Sequence, residues 1–389
     1  MIPPPAFEKP VIVLIGNYPI DRQESMLRFR DLLQERLEAA GFLVESLFPQ
    51  GYLGPRVKPG GGLAKWMGYL DKYVLFPATL SRRLSKLKRD YRGRRVVVHI
   101  CDHSNAVYAG LAKRWFRVLI TCHDLIAVRS ARGEDTDCPV SGFGKHLQEA
   151  VLRGLGQADG IACVSRATQS DLIRLAGTAV AGRSRVVPLA LNYPYRVLAR
   201  EEALGKLAAA GLDLPYRGYV LHVGSGLWRK NREALFQSVA QIKEAWPGLI
   251  VFAGEPLSPE MRDLARSLGL EKRVREIVRP DNETLVALYN AAHALVFMSR
   301  FEGFGWPILE AQASGCPVIC SNRTSVPEVA GEGAVVLEAD DHRAIAGAIQ
   351  RLQESAVRDN VTALGFKNVQ NYSRERMMDA YEDFYRRIA

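Results

Sequence analysis

Short apolar runs recur along the chain, and segments with a helical period lie between them. In the first half the runs are "VIVLIG" (11–16), "VVVHIC" (96–101), "FRVLITC" (116–122) and "GIACVS" (160–165). The second half has "YVLHVGS", "LIVFAG", "VREIV", "ALVFMS", "CPVICS" and "AVVLEA", one every 18 to 30 residues. These runs are continuously apolar and do not alternate with polar residues. That is the pattern of strands buried on both faces, in parallel sheets covered by helices such as "SMLRFRDLLQERLEAAG" (25–41). The expected fold class is therefore α/β, with two Rossmann-like domains over 1–192 and 218–370. The stretch 193–217 contains no strand-like run and is bounded by prolines, so it reads as the join. Residues 371–389 predict an amphipathic helix with Met377, Tyr381 and Phe384 or Tyr385 on one side.

Length agrees with two domains, since 389 residues exceed what one core usually holds. With 48% hydrophobic and 24% charged residues the composition is that of a soluble globular protein. No stretch approaches the roughly 18 uninterrupted apolar residues of a membrane span, and "MIPPPAFEKP" lacks the order of a secretory leader, so a cytoplasmic protein is expected. The six cysteines form no CxxC pair and lie mostly in strand-like runs, where reduced, buried thiols are expected.

Charge changes the picture more. The net charge is +10, and residues 1–200 hold 30 basic against 17 acidic side chains, while 201–389 hold 22 against 25. Residues 51–100 alone carry 12 basic and 2 acidic ones. Such a patch could meet nucleic acid, an anionic membrane or a phosphorylated substrate. Within it, Leu80, Leu84, Leu87 and Tyr91 share one helical face, and Arg82, Arg83, Lys86, Lys88, Arg89 and Arg92 occupy much of the rest. A solvated basic face on an ordinary helix is one reading. The preceding Trp66, Tyr69, Tyr73 and Phe76 favour another, an anionic membrane surface met by 66–95. No RNA motif or stacking platform accompanies "RRLSKLKRDYRGRR", so no nucleic-acid partner is expected.

In open parallel sheets, ligands gather at the carboxyl ends of strands, where helix N-termini attract anions. Four such ends in the second half are polar or Gly-rich: "VGSGLWRKN" (223–231), "AGE" (253–255), "VRPDNE" (278–283) and "MSRFEGFGWP" (298–307). A diphosphate suits this set. Gly224 and Gly226 allow close approach, Arg229 and Lys230 bring positive charge, and Pro307 suits the first turn of a helix. Ordinary Gly turns with solvated cations are the competing reading, and Asp281 or Asn282 reads as an N-cap. Glu302 falls before the helix and Glu310 about two turns on. With a diphosphate near the amides of Ile308 and Leu309, Glu310 can accept from ribose hydroxyls and Glu302 from those of a sugar on the far phosphate.

Glu302 and Glu310 with "GFGWP" between them resemble the E-x7-E motif of the family 4 retaining glycosyltransferases, the "group 1" transferases of GT-B fold. "EGFGWPILEAQASGCPVICSN", "VGS…RKN", "CVSRATQSDL" and "TCHDL" extend the resemblance over 219–340 and, more faintly, 116–190. It implies two domains facing each other across a cleft, acceptor bound by the first and nucleotide sugar by the second, with the C-terminal helix returning to the first domain. It also implies hexosyl transfer from a GDP- or UDP-linked donor to a saccharide or lipid-linked acceptor, in the synthesis of cell-envelope polysaccharide, lipopolysaccharide or glycolipid.

The resemblance further assigns roles. His123, Glu302 and Lys230 are the implied catalytic residues. Gly224, Ser225, Arg229, Lys230, Arg279, Glu302, Phe304, Gly305, Ile308, Leu309 and Glu310 are the implied donor-binding set. Neither metal nor cofactor is expected, because cations and a helix N-terminus neutralise the leaving diphosphate. "EDTD" (134–137) reads as a solvated turn. In the family's usual reading the departing phosphate oxygen takes the acceptor proton, and no acid here is an obvious nucleophile. Two departures stand out: "GNYPIDRQES" (16–25) replaces a Gly-Gly loop, and Ser225 replaces an arginine. "VHICDHSNA" (98–106) places His99 and His103 around Cys101 and Asp102, as a sugar-contacting or structural group ahead of a metal site. A GT-B-like binding protein without catalysis is the alternative, as is a nucleic-acid binder using 82–95. A GT-B-shaped epimerase or phosphorylase is a third.

Overall fold

The computed structural model describes residues 9–21, 23–53, 62–134, 136 and 138–389, and for 62–65 the backbone alone. The "MIPPPAFE" start and part of "EDTD" lie outside the described residues. The chain divides into two compact units, one of residues 1–188 with 375–389 and one of 189–374.

In the first unit the strands are β1 (Val11–Ile15), β2 (Val44–Leu47), β3 (Val96–Ile100), β4 (Arg117–Cys122), β5 (Gly160–Cys163) and β6 (Ser184–Val186). They form one sheet in the order β2-β1-β3-β4-β5-β6, parallel throughout. β1 and β3 are buried along their whole length, as their uninterrupted apolar sequences require. The helix Phe76–Asp90 buries Phe76, Leu80, Leu84 and Leu87 against this core.

The C-terminal helix Arg374–Ile388 belongs to this unit from Glu375 on, as expected, and a buried polar chain shows why. His99 of β3 bonds through Nδ1 to Tyr385 Oη at 2.7 Å and through Nε2 to Thr121 Oγ1 at 2.8 Å. Thr121 Oγ1 in turn lies 2.9 Å from Tyr381 Oη. His99 is thus a structural residue, and both its ring nitrogens are engaged.

The second unit carries β7 (Tyr219–Gly224), β8 (Leu249–Gly254), β9 (Val274–Val278), β10 (Ala294–Phe297), β11 (Val318–Ser321) and β12 (Val335–Leu337). Their order is β12-β11-β10-β7-β8-β9, again all parallel. The segment 193–217 is not a free join. It contains a helix, Arg200–Ala209, which buries Ala203 and Leu207. Leu198 N–H donates to Asn290 Oδ1 at 2.7 Å, and Lys206 Nζ reaches Glu283 Oε2 at 2.7 Å. These bonds make 193–217 part of the second unit and put the division at 188/189. Among the described residues no helix is long and apolar enough to cross a membrane.

Candidate active site

Strand order decides which loops meet. In each sheet the order reverses beside the first strand of the unit, between β1 and β3 in one and between β7 and β10 in the other. Loops leaving the two strands of such a switch point diverge to opposite faces and leave a crevice at the carboxyl edge. In the second unit those loops are 224–231 after β7 and 298–305 after β10.

Glu302 and Lys230, 72 positions apart, meet in that crevice. Lys230 Nζ lies 2.6 Å from Glu302 Oε1, and Arg229 Nη1 lies 3.1 Å from Oε2. Each oxygen of the buried carboxylate thus faces its own cation. Burial alone would raise the Glu302 pKa, but the charges of Lys230 and Arg229 outweigh it and hold the carboxyl below its ordinary value. Burial holds Lys230 below the usual lysine range, with Glu302 working against the shift. Its ammonium also sits 5.1 Å from the centre of the Phe297 ring.

The backbone around the pair is built to keep it there. Asn231 takes the left-handed conformation (φ 49°), ending the short turn that carries Arg229 and Lys230, and its Nδ2 donates to Ala339 O at 3.0 Å. Arg232 is buried and staples the end of β7 by donating to the carbonyls of Gly224 (2.7 Å), Glu255 (2.9 Å) and Pro256 (3.2 Å). A Cβ on Gly254 would come within 2.3 Å of the Gly224 carbonyl oxygen, so the two strand ends approach only because that position is glycine. On the other side, Thr324 Oγ1 accepts from Glu302 N–H at 3.0 Å, and Ser325 Oγ reaches the carbonyls of Glu302 (2.9 Å) and Phe304 (2.7 Å).

Gly305, at φ 124°, turns the chain into the helix Trp306–Ala313 with Pro307 in its first turn. Glu310 is buried on that helix and accepts from Tyr289 Oη at 2.8 Å. Asp281 caps the helix Asn282–Ala291, which carries Tyr289, by accepting from Thr284 N–H at 2.8 Å. Ile308 and Leu309 differ from expectation in part. Their side chains are core, and the Ile308 amide already donates to Gly305 O at 3.1 Å, so it is not spare for a phosphate. Arg279 is exposed at the end of β9, its own amide bonded to Gly254 O at 2.9 Å. Among the described residues no contact joins its guanidinium to the Lys230–Glu302 pair. Asn231, Thr324, Ser325, Arg232 and Tyr289 support the site and were not singled out by sequence. Only Asn231, in "RKN", carried a signal, since Asn is favoured in left-handed turns.

The first unit has its own polar group at the equivalent edge. His123, after β4, is buried, bonds through Nε2 to Cys101 O at 2.9 Å and packs edge-on to Phe29 at 4.9 Å. That bond makes Nε2 the protonated nitrogen, and burial lowers the pKa of the ring, keeping it neutral. Asp102 accepts from His103 Nδ1 (3.1 Å), Asn17 Nδ2 (2.5 Å) and Ser104 N–H (3.0 Å). Burial opposes its ionisation, but these donors prevail and hold it well below the usual carboxylate range. Asn17, of "GNYPIDRQES", also accepts from Asn105 Nδ2 at 3.0 Å. Among the described residues no three of His, Cys, Asp and Glu gather as a metal site would require.

Both units match family models. Residues 31–192 match "Glycosyltransferase Family 4" and residues 215–367 match "Glycosyl transferases group 1". An O-antigen chain mannosyltransferase B of Escherichia coli is 30% identical over 283 residues, covering 70% of this chain and 72% of its own. The chain belongs to the family 4 glycosyltransferases. It is a hexosyltransferase. A D-inositol 3-phosphate glycosyltransferase of Corynebacterium efficiens is 30% identical over 233 residues, 57% of this chain and 53% of that one, so the transferase here spans about half that relative's length. Its fold is GT-B. The structure of sucrose-phosphate synthase from Thermosynechococcus elongatus superposes with a TM-score of 0.72 at 23% identity over 97% of this chain and 99% of that one. Anabaena HepE in complex with UDP and glucose gives 0.70 at 15% identity over 96% and 98%.

Proposed function

We propose that this transferase moves a mannose-type hexose, with retention of configuration, from a nucleoside diphosphate donor to a growing cell-surface saccharide or its lipid-linked precursor. The observation that carries the reading is the buried Glu302 carboxylate held by two cations beside Glu310. In this scheme Lys230 and Arg229 take the leaving diphosphate, Glu310 the ribose, and Glu302 the hydroxyls of the donor sugar. Leu309, Phe304 and Gly305 offer backbone groups, and Gly224 and Ser225 leave room for the phosphates. His123, neutral with its N–H committed to Cys101, keeps the role the resemblance implies as a positioning group. The departing phosphate oxygen accepts the acceptor proton, so the protein contributes orientation and charge stabilisation. Mannose is favoured because the Escherichia coli relative and an O-antigen chain mannosyltransferase of Salmonella typhimurium, 29% identical over 136 residues, both carry that activity in their names.

The test is transfer from a panel of GDP-, UDP- and ADP-sugars in excess EDTA. Activity with GDP-mannose that persists without divalent metal is expected. A requirement for Mn²⁺ or Mg²⁺ would rule out the charge assignment.

We place the transferase as a peripheral protein at the cytoplasmic face of an anionic membrane. Trp66, Leu70, Val74 and Phe143 are exposed, and Trp66 packs 5.8 Å from both Tyr69 and Phe143. On the helix that follows, Arg82, Arg83, Lys86, Lys88 and Arg89 are exposed as well. At about 1 kcal/mol per basic residue near an anionic surface, three engaged side chains give salt-sensitive attachment. In vesicle flotation, wild type should float with anionic lipid at low salt, and the Arg82→Glu/Arg83→Glu/Lys86→Glu variant should stay in the soluble fraction. Equal behaviour of the two removes the membrane from the scheme.

A further inference from the structure

We propose that His103 and Asp124 of the first unit form a subsite for one hydroxyl of a neutral saccharide acceptor, held between the imidazole Nε2 and the Asp124 carboxylate. The inference rests on the reading above in which the protein glycosylates a saccharide. Asp102 and His103 follow β3, and His123 and Asp124 follow β4, so the subsite lies at the carboxyl ends of two neighbouring strands. The resemblance gives no role to either His103 or Asp124.

Asp102 orients the histidine. Its Oδ1 accepts from His103 Nδ1 (3.1 Å) and Ser104 N–H (3.0 Å), and its Oδ2 from Asn17 Nδ2 (2.5 Å) and Ser104 Oγ (2.9 Å), so both oxygens are engaged. The His123 amide also lies 3.4 Å from His103 Nδ1, but the ionised Asp102 is nearer and takes the Nδ1 proton. The ring is thereby fixed with Nε2 turned away from Asp102. Among the described residues nothing hydrogen-bonds to Nε2. Its facing group is Asp124 Oδ1, 4.0 Å away, which already accepts from Ile126 N–H at 3.1 Å. That gap is too wide for a direct hydrogen bond and admits one oxygen about 2.8 Å from each group. Side-chain exposures of 12% for His103 and 34% for Asp124 let a ligand reach the pair. A hydroxyl fits, because it accepts from Nε2–H and donates to the carboxylate, whereas an ionised phosphoryl group brings no proton and is repelled. The Nε2 proton is present while the ring is charged. Burial opposes that charge, but the bond to Asp102 and the charges of Asp102 and Asp124 raise the pKa of His103. Those carboxylates are the charged groups acting on the ring, and the titratable neighbour His123 is kept neutral by burial.

NMR titration of the full chain with methyl α-D-mannopyranoside, and with the matching glucoside, galactoside and N-acetylglucosaminide, tests the subsite without requiring turnover. Wild type is expected to bind at least one of these glycosides, with a shift of the His103 ring resonances. Asp124→Asn keeps an oxygen for the Ile126 amide but loses the charge, and His103→Ala loses the donor. Each should weaken that glycoside by about tenfold or more, with the amide spectrum away from the site unchanged, which shows that the first unit is folded. His103→Gln places an uncharged N–H at the Nε2 position and separates hydroxyl binding from a structural role. Wild-type affinity should fall as pH rises through the pKa of His103, and that of the glutamine variant should stay level. Affinity unchanged in Asp124→Asn and His103→Ala would leave the gap to water and overturn the proposal, as would a wild type that binds none of the glycosides or a glutamine variant with the wild-type pH profile. Binding of another glycoside in place of the mannoside, lost in the same variants, keeps the subsite and names its sugar. Failure of GDP-mannose as donor shows in the transfer assay and leaves this measurement intact, so the two readings fail separately.

Discussion

Replacing Lys230 by alanine is expected to lower kcat by about 10²–10³, the usual loss when one pre-organised donor to a developing negative charge is removed. The same change should weaken nucleoside diphosphate binding by about 1.5–3 kcal/mol, the worth of a charge-assisted hydrogen bond. Glu302→Gln should behave differently. Glu302 holds Lys230 at 2.6 Å and Arg229 at 3.1 Å, so a diphosphate must compete with it for both cations. Removing the carboxylate charge releases them, so nucleoside diphosphate affinity should stay level or rise. Turnover should still fall, because the sugar hydroxyls lose their acceptor. Calorimetry with GDP and UDP, together with kcat on the preferred donor, separates these effects. If Glu302→Gln weakens nucleotide binding as much as Lys230→Ala does, the pair is not a competitor of the diphosphate and the role given to Glu302 is wrong.

That competition was not visible in the sequence, although both residues were. Glu302, Glu310 and Pro307 were legible because they lie within one loop and one helix, where spacing converts directly into position. Lys230 was legible as a cation beside glycines. Their contact depends on β10 crossing back to pair with β7, an event of sheet topology that no local window records. Tyr289 as the partner of Glu310 was hidden for the same reason. His99 shows the opposite problem: its neighbours in "VHICDHSNA" suggested a shared site, but strand alternation sends it to the other face, toward Tyr385, while Asp102 and His103 stay at the strand end. The join over 193–217 was drawn where strand-like sequence stops. What attaches it to the second unit is a helix with two buried residues and long-range bonds to Glu283 and Asn290, which leave no periodic trace.

The unfolding free energy is expected to drop steeply between pH 7 and pH 5. Burial pushes the pKa of His99 down to about 3, with His123 adding to the shift. Burial likewise takes His222 to about 3, helped by the charges of Arg232 and Lys230. His293 falls to about 4, burial again dominating, with its bond to the Ile349 carbonyl opposing the shift and the nearby charges of Arg358 and Arg217 adding to it. All three stay neutral in the folded chain, whereas an unfolded histidine titrates near 6.5. Below that pH the unfolded chain takes up protons that the folded one refuses. The stabilisation is complete above about pH 6.5 and is lost as pH falls toward the folded values. At pH 5 each of these histidines has given up about 2 kcal/mol, on the order of 4 kcal/mol for His222 and His293 together, against total stabilities of about 5–15 kcal/mol. In the first unit His99 and His123, both lowered by burial, act in the same direction, and His103 acts in the opposite one: burial opposes its protonation, but its bond to Asp102 and the charges of Asp102 and Asp124 together raise its pKa. Urea unfolding at pH 7.5, 6 and 5 at constant ionic strength, followed by hydrogen exchange resolved on β4 and β10, gives the two slopes. His222→Phe, which keeps an aromatic ring against Phe252, should flatten the second unit's slope by about 1.4 kcal/mol per pH unit between pH 6 and 4. A stability that is level from pH 7.5 to 5 would show that these rings are protonated or solvated in the folded protein.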